Sequence, residues 1–149
     1  MRPRPLLPAA ARGFTLIELL VAMAALAILV AIALPAFFEQ LARVRRTDVQ
    51  AALLEDAGYM QHYYAAHDAY TGTPPPQLPF ETTPRQGAAS YAITVSVPAT
   101  DPTSFVLTAT RTGAMASDAC GDFTVDNLGQ RGLVAGTVAS GRSVATCWR

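Results

Sequence analysis

The run FTLIELLVAMAALAILVAIALPAFF, Phe14 to Phe38, constrains this chain more than any other feature, because every side chain in it except Thr15 and Glu18 is apolar. As a helix rising 1.5 Å per residue it would extend about 37 Å, more than the roughly 30 Å hydrocarbon core of a bilayer. A carboxylate in such surroundings costs about 3 kcal/mol even on lenient insertion scales, so Glu18 calls for a compensating partner. An ordinary secretory signal has a shorter apolar core and is cut after it. Here that cut would fall in AMAALA, Ala22 to Ala27, only eight residues into the run and behind Glu18. No cysteine follows the run, which argues against a lipoprotein anchor.

Charge is distributed around this segment. The first thirteen residues carry Arg2, Arg4 and Arg12 and no acid. The remainder holds eight Arg, eleven minus those three, against eleven Asp plus Glu, a net charge near −3. That mild acidity argues against a protein built mainly to hold nucleic acid. Arg43, Arg45 and Arg46 balance the three leader arginines across the run, so loop charge alone orients it weakly. The cysteines decide the matter. Cys120 and Cys147 have no neighbouring His with which to build a zinc site, and a chain directed to a membrane makes a disulfide the better reading. The C-terminal part is therefore expected outside the reducing cytoplasm, with the amino terminus inside.

Beyond Pro35, which removes a helical donor where the chain should leave the bilayer, a helix is expected to about Tyr64 or Ala69. Val49, Leu53, Ala57, Met60 and Tyr64 recur at helical spacing and form a stripe suited to lie on a sheet. His62 and His67 stand five apart and do not share a face. Tyr70 to Ser90, with three consecutive prolines at 74 to 76, reads as a long surface connection. YAITVSV (Tyr91–Val97) and FVLTATR (Phe105–Arg111) alternate as strands. GDFTV (Gly121–Val125) and QRGLV read as a further hairpin about DNLG. The expected fold is α+β: one long helix and an antiparallel meander of three or four strands. Asp118, Asp122 and Asp126 lack the oxygen spacing of a calcium loop and read as turn formers. The sequence offers no nucleophile with a paired base and no phosphate-cradling loop. No catalytic, cofactor-binding or metal residue is assigned, and the chain is read as no enzyme.

RGFTLIELLVAMAALAILVAIALPAF resembles the amino-terminal signal of type IV prepilins. The resemblance implies a cytoplasmic leader, residues 1–13, that prepilin peptidase removes between Gly13 and Phe14, with methylation of the new Phe14 amine. It further implies an anchoring and filament-core helix over 14–38 and a pilin globular domain over 39–149, periplasmic and then extracellular. Glu18 would lie one helical turn from the Phe14 amine of its own chain and would meet that of a neighbour in a filament, fixing register. Pro35 would let the helix curve or melt locally as subunits pack.

Near the C-terminus, Ala116, Asp118, Cys120 and Gly121, then Gly129, Arg131 and Gly132, then Cys147 and Trp148 resemble minor pilins of the PilE kind. The implied protein is a minor pilin that joins or primes a type IV pilus and supports twitching motility and adhesion. Its partners would be other pilins, the inner membrane, prepilin peptidase and the pilus assembly platform. A major pilin, a type II secretion pseudopilin and a DNA-uptake pilin are the alternatives. The last would need an Arg-rich stripe, and Arg85, Arg111, Arg131, Arg142 and Arg149 are scattered. A fourth reading is a small secreted domain cut free near residue 24.

Overall fold

The computed structural model of the chain describes residues 13–72 and 75–148. Most of the expected leader, including Arg2, Arg4 and Arg12, lies outside the described residues, as do Pro74 and Arg149. The chain forms two compact units that divide between Phe38 and Glu39. A single helix, α1, spans Leu16–His67.

In the first unit α1 opens on Thr15. Its Oγ1 accepts the Glu18 backbone N–H at 3.3 Å, and its carbonyl accepts that of Leu19 at 3.2 Å. The side chain thus satisfies a donor of the first turn. All residues from Phe14 to Phe38 are exposed. Among the described residues α1 is the one helix long and apolar enough to cross a membrane. Pro35 lies inside α1, where it leaves the Ala31 carbonyl without its usual donor but does not end the helix.

The second unit is built where the helical stripe meets a sheet. Val49, Leu53, Ala57 and Met60 are buried on one side of α1, together with the polar Arg46, Gln50 and Asp56. The sheet runs β1 (Thr82–Thr83), β2 (Tyr91–Ser96), β3 (Val106–Arg111), β4 (Phe123–Asp126) and β5 (Arg131–Leu133), each antiparallel to the next in chain order. Ile93 stands opposite Ala109, and Leu107 opposite Val125. With Tyr91 and Phe123 these residues are buried on alternate positions, as a half-covered sheet requires. Burying a side chain such as Leu53 or Phe123 contributes about 1.5–3 kcal/mol.

The meander has five strands rather than three or four. The additional one, β1, lies within the segment read as a long surface connection. Thr83 is buried and its carbonyl accepts the Ser90 N–H, while the Glu81 carbonyl accepts that of Ile93. Proline density had masked a two-residue threonine edge; the Thr83–Pro84 bond is cis. At the other end of that segment α1 stops at His67, because Asp68 takes a left-handed φ of 55° and returns its N–H to Tyr64. Tyr70 then packs edge-on against Phe105. After β5, α2 (Val144–Cys147) is started by Ser143, whose N–H reaches Thr146 Oγ1 at 2.9 Å.

Candidate functional site

At the amino-terminal end, Gly13 and Phe14 stand free of packing: Phe14 is 81% exposed, and nothing lies within 4 Å of where a Gly13 Cβ would be. Glu18 occupies the third position of the helix, where its charge complements the helix N-terminus. The local order is therefore an unpacked Gly–Phe pair, a threonine cap and an acid in the first turn. The cap was readable as Thr-x-x-Glu and is the residue that reading for membrane insertion alone passes over.

A second constellation ties α1 to the C-terminal segment. Arg46 is buried, and its Nε donates to both Asp118 carboxylate oxygens at 3.1 and 3.0 Å while Nη2 donates to Oδ1. Its Nη1 reaches Glu39 at 3.3 Å. Hydrogen bonding to Asp118 is the main reason that the Arg46 pKa rises, against the opposing effect of burial. Asp118 also accepts the Cys120 N–H at 3.3 Å, and its carbonyl accepts Arg111 Nη1. Cys120 is joined to Cys147, with Cα atoms 5.7 Å apart. Gln50 Nε2 donates to the Cys147 carbonyl at 2.7 Å, fixing the end of the chain to α1.

The motif residues noted in the sequence now have individual reasons. Gly121 has φ +70°, and a Cβ there would stand 2.8 Å from the Thr137 carbonyl. At Gly132 a Cβ would meet the Thr124 hydroxyl, and the Gly132 carbonyl accepts Trp148 Nε1 at 2.9 Å. Trp148 in turn packs edge-on against Phe123, with the Arg131 guanidinium 5.4 Å from its ring centroid. The three aspartates divide by task. Asp118 holds Arg46, Asp122 accepts the Arg111 N–H at 3.0 Å, and Asp126 accepts the N–H groups of Leu128 and Gln130. Turn formation describes Asp126; Asp118 is instead half of a buried ion pair, because it faces a helix residue 72 positions away. No cluster suited to a metal ion occurs among the described residues.

Two buried polar groups lie apart from this network. Asp56 Oδ1 accepts the Phe80 N–H at 3.0 Å, whereas Oδ2 has no hydrogen-bond partner. Burial pushes its pKa from 3.8 up to about 6, with the Phe80 bond opposing and Glu55 assisting. Burial likewise raises Tyr91, whose hydroxyl is unpartnered beside Asp118 and Arg46.

The arginines weighed for a stripe are not equivalent. Arg111 is half-buried and committed to Asp122 and the Asp118 carbonyl. Arg85 is exposed and covers the Phe80 ring at 3.7 Å. Arg131 and Arg142 are also exposed.

A long helix that begins apolar and ends amphipathic, with an antiparallel meander closed by a C-terminal disulfide, is the architecture of a type IV pilin. Residues 8–34 match the prokaryotic N-terminal methylation motif. Residues 35–124 match the family described as type IV minor pilin ComP, DNA uptake sequence receptor, and the chain belongs to this family. Among solved structures it is similar to a type IV pilin from Shewanella oneidensis at 24% identity and TM-score 0.47, covering 72% of this chain and 97% of that one. It is similar also to the non-core minor pilin PilV from Neisseria meningitidis at 17% identity and TM-score 0.45, covering 68% and 96%. No curated protein matches the chain.

Proposed function

We propose that this minor pilin is made as a membrane-held precursor, cut between Gly13 and Phe14, methylated on Phe14, and moved from the inner membrane into an extracellular pilus. The observation that carries this reading is the exposed apolar surface from Phe14 to Phe38, interrupted by one acid. Such a surface needs lipid around it first and the helices of other pilins afterwards. Cleavage supplies the cation that Glu18 lacks, one helical turn away in its own chain and available from a neighbour in the filament. Pro35 supplies the local weakness that packing of neighbouring helices uses. Prepilin peptidase and the pilus assembly platform act on the chain, which performs no catalysis and serves pilus extension and twitching.

Mass spectrometry of the protein from sheared pili tests this: the expected amino terminus is N-methylated Phe14. Glu18→Ala should be cut and held in the membrane yet be scarce in pili. A leader retained in functional pili, or normal incorporation of Glu18→Ala, refutes the reading.

The family match favours a second role, capture of DNA for uptake. Arg85, Arg131 and Arg142 would supply its phosphate contacts. Duplex binding that weakens steeply with salt supports this role, and duplex binding absent at low salt removes it.

A further inference from the structure

In the second unit a cavity of about 310 Å³ has Arg43, Arg46 and Arg142 in its wall and Glu39 at the same site. Two of these cations are already engaged. Arg46 is committed to Asp118 and Glu39, and Arg43 Nε lies 3.5 Å from Glu39 with its side chain 62% exposed. Arg142, carried in by the segment that precedes α2, makes no ion pair among the described residues. Arg43 and Arg46 thus share the Glu39 carboxylate, and Arg142 is left without an acid partner among the described residues. Arg43 and Arg142 are accessible. Guanidinium forks of this kind match the oxygens of a phosphate.

Position along the chain selects the source of that phosphate. Arg43 and Arg46 follow Phe38, the end of the uninterrupted apolar run, by five and eight residues, about 7 and 12 Å of helix. The headgroup region of a bilayer extends over roughly the first 5–8 Å beyond the hydrocarbon, within reach of a long arginine side chain. We propose that the Arg43–Arg46–Arg142 cavity binds the phosphate of an anionic phospholipid while the pilin stands in the membrane. The proposal rests on the membrane-held precursor described above. The Arg46–Asp118 pair and the Gln50 bond to Cys147 keep the cavity in shape, so the site requires the disulfide-closed tail. Bound lipid holds the subunit upright in the leaflet, and its loss accompanies transfer into the filament.

The test uses the full-length chain purified in non-ionic detergent doped with either phosphatidylglycerol or phosphatidylcholine, with retained lipid counted by native mass spectrometry. Phosphatidylglycerol should be retained preferentially, and Arg142→Gln should lower its retention about fivefold, the value of one arginine near a membrane surface. Thermal unfolding of Arg142→Gln should be unchanged, and Arg131→Gln should retain lipid like the unmodified chain. Equal retention of the two lipids overturns the proposal, as does undiminished retention by Arg142→Gln. Displacement of phosphatidylglycerol by millimolar inorganic phosphate assigns the site to free phosphate and overturns the lipid source. Displacement by duplex DNA at equal phosphate concentration assigns it to nucleic acid and overturns the lipid source equally. Membrane anchoring is read separately: release of the precursor by alkaline carbonate removes the underlying reading, whereas firm retention with no lipid preference removes only the cavity's role.

Discussion

Asp56 gives the sharpest quantitative test of how the second unit is held together. Its carboxyl is completely buried, with one oxygen on the Phe80 N–H and the other unpartnered. The folded-state pKa, about 6, exceeds the ordinary value of 3.8. Between those values the folded chain keeps a proton that the unfolded chain releases, so raising the pH favours unfolding. The Asp56 contribution is greatest below pH 3.8 and is lost as pH rises through about 6. At about 1.36 kcal/mol per pH unit the total change is about 3 kcal/mol. Asp56→Asn keeps an acceptor for Phe80 and cannot ionise. Urea unfolding of both full-length proteins in non-ionic detergent, followed through the single tryptophan, Trp148, isolates this component because other titrating groups cancel in the difference. The expected difference curve moves in favour of Asp56→Asn by about 3 kcal/mol from about pH 4 to pH 7 and is flat above. Parallel stability curves across that range would refute the argument that burial governs this carboxyl.

Two further outcomes follow from the ties between α1 and the tail. Arg46→Met, which strands Asp118 as a buried unpaired anion, should cost about 3–5 kcal/mol in urea unfolding. Adding Asp118→Asn should recover a large part of that loss, since the amide oxygen still serves the Cys120 N–H. Replacing Cys120 and Cys147 together by Ser should cost about 3.5 kcal/mol, from loop closure over the 27-residue separation, measured by the same unfolding curves.

What could be read in advance follows from the kind of interaction involved. The apolar run, the stripe from Val49 to Met60 and the alternation in β2 and β3 are periodic, and period alone places them on a helix or a half-covered sheet. The methylation motif matched over residues 8–34 is also local, so it can be recognised without any knowledge of the fold. Arg46 and Asp118 were not legible, because nothing within either segment shows that residues 72 positions apart meet. Asp118 therefore read as a turn residue and Arg46 as a membrane-flanking charge. β1 escaped for a different reason: its two threonines lie among prolines, and only the facing residues of β2 make them a strand. Arg142 read only as one of several scattered cations until the disulfide-bearing tail brought it to the cavity that Arg43 lines.

The bond from Trp148 to the Gly132 carbonyl also bears on how such a molecule polymerises. A sheet with open margins invites other chains to add strands to it, and subunits crowded along a filament meet that hazard continuously. Here one margin is two residues long and followed by Pro84, while the opposite margin has a carbonyl already taken by an indole from the chain's own end. Growth by sheet extension is thereby discouraged on both sides. The tail's last aromatic residue thus works as a stopper, and any fusion placed after it inherits the duty of leaving that stopper seated.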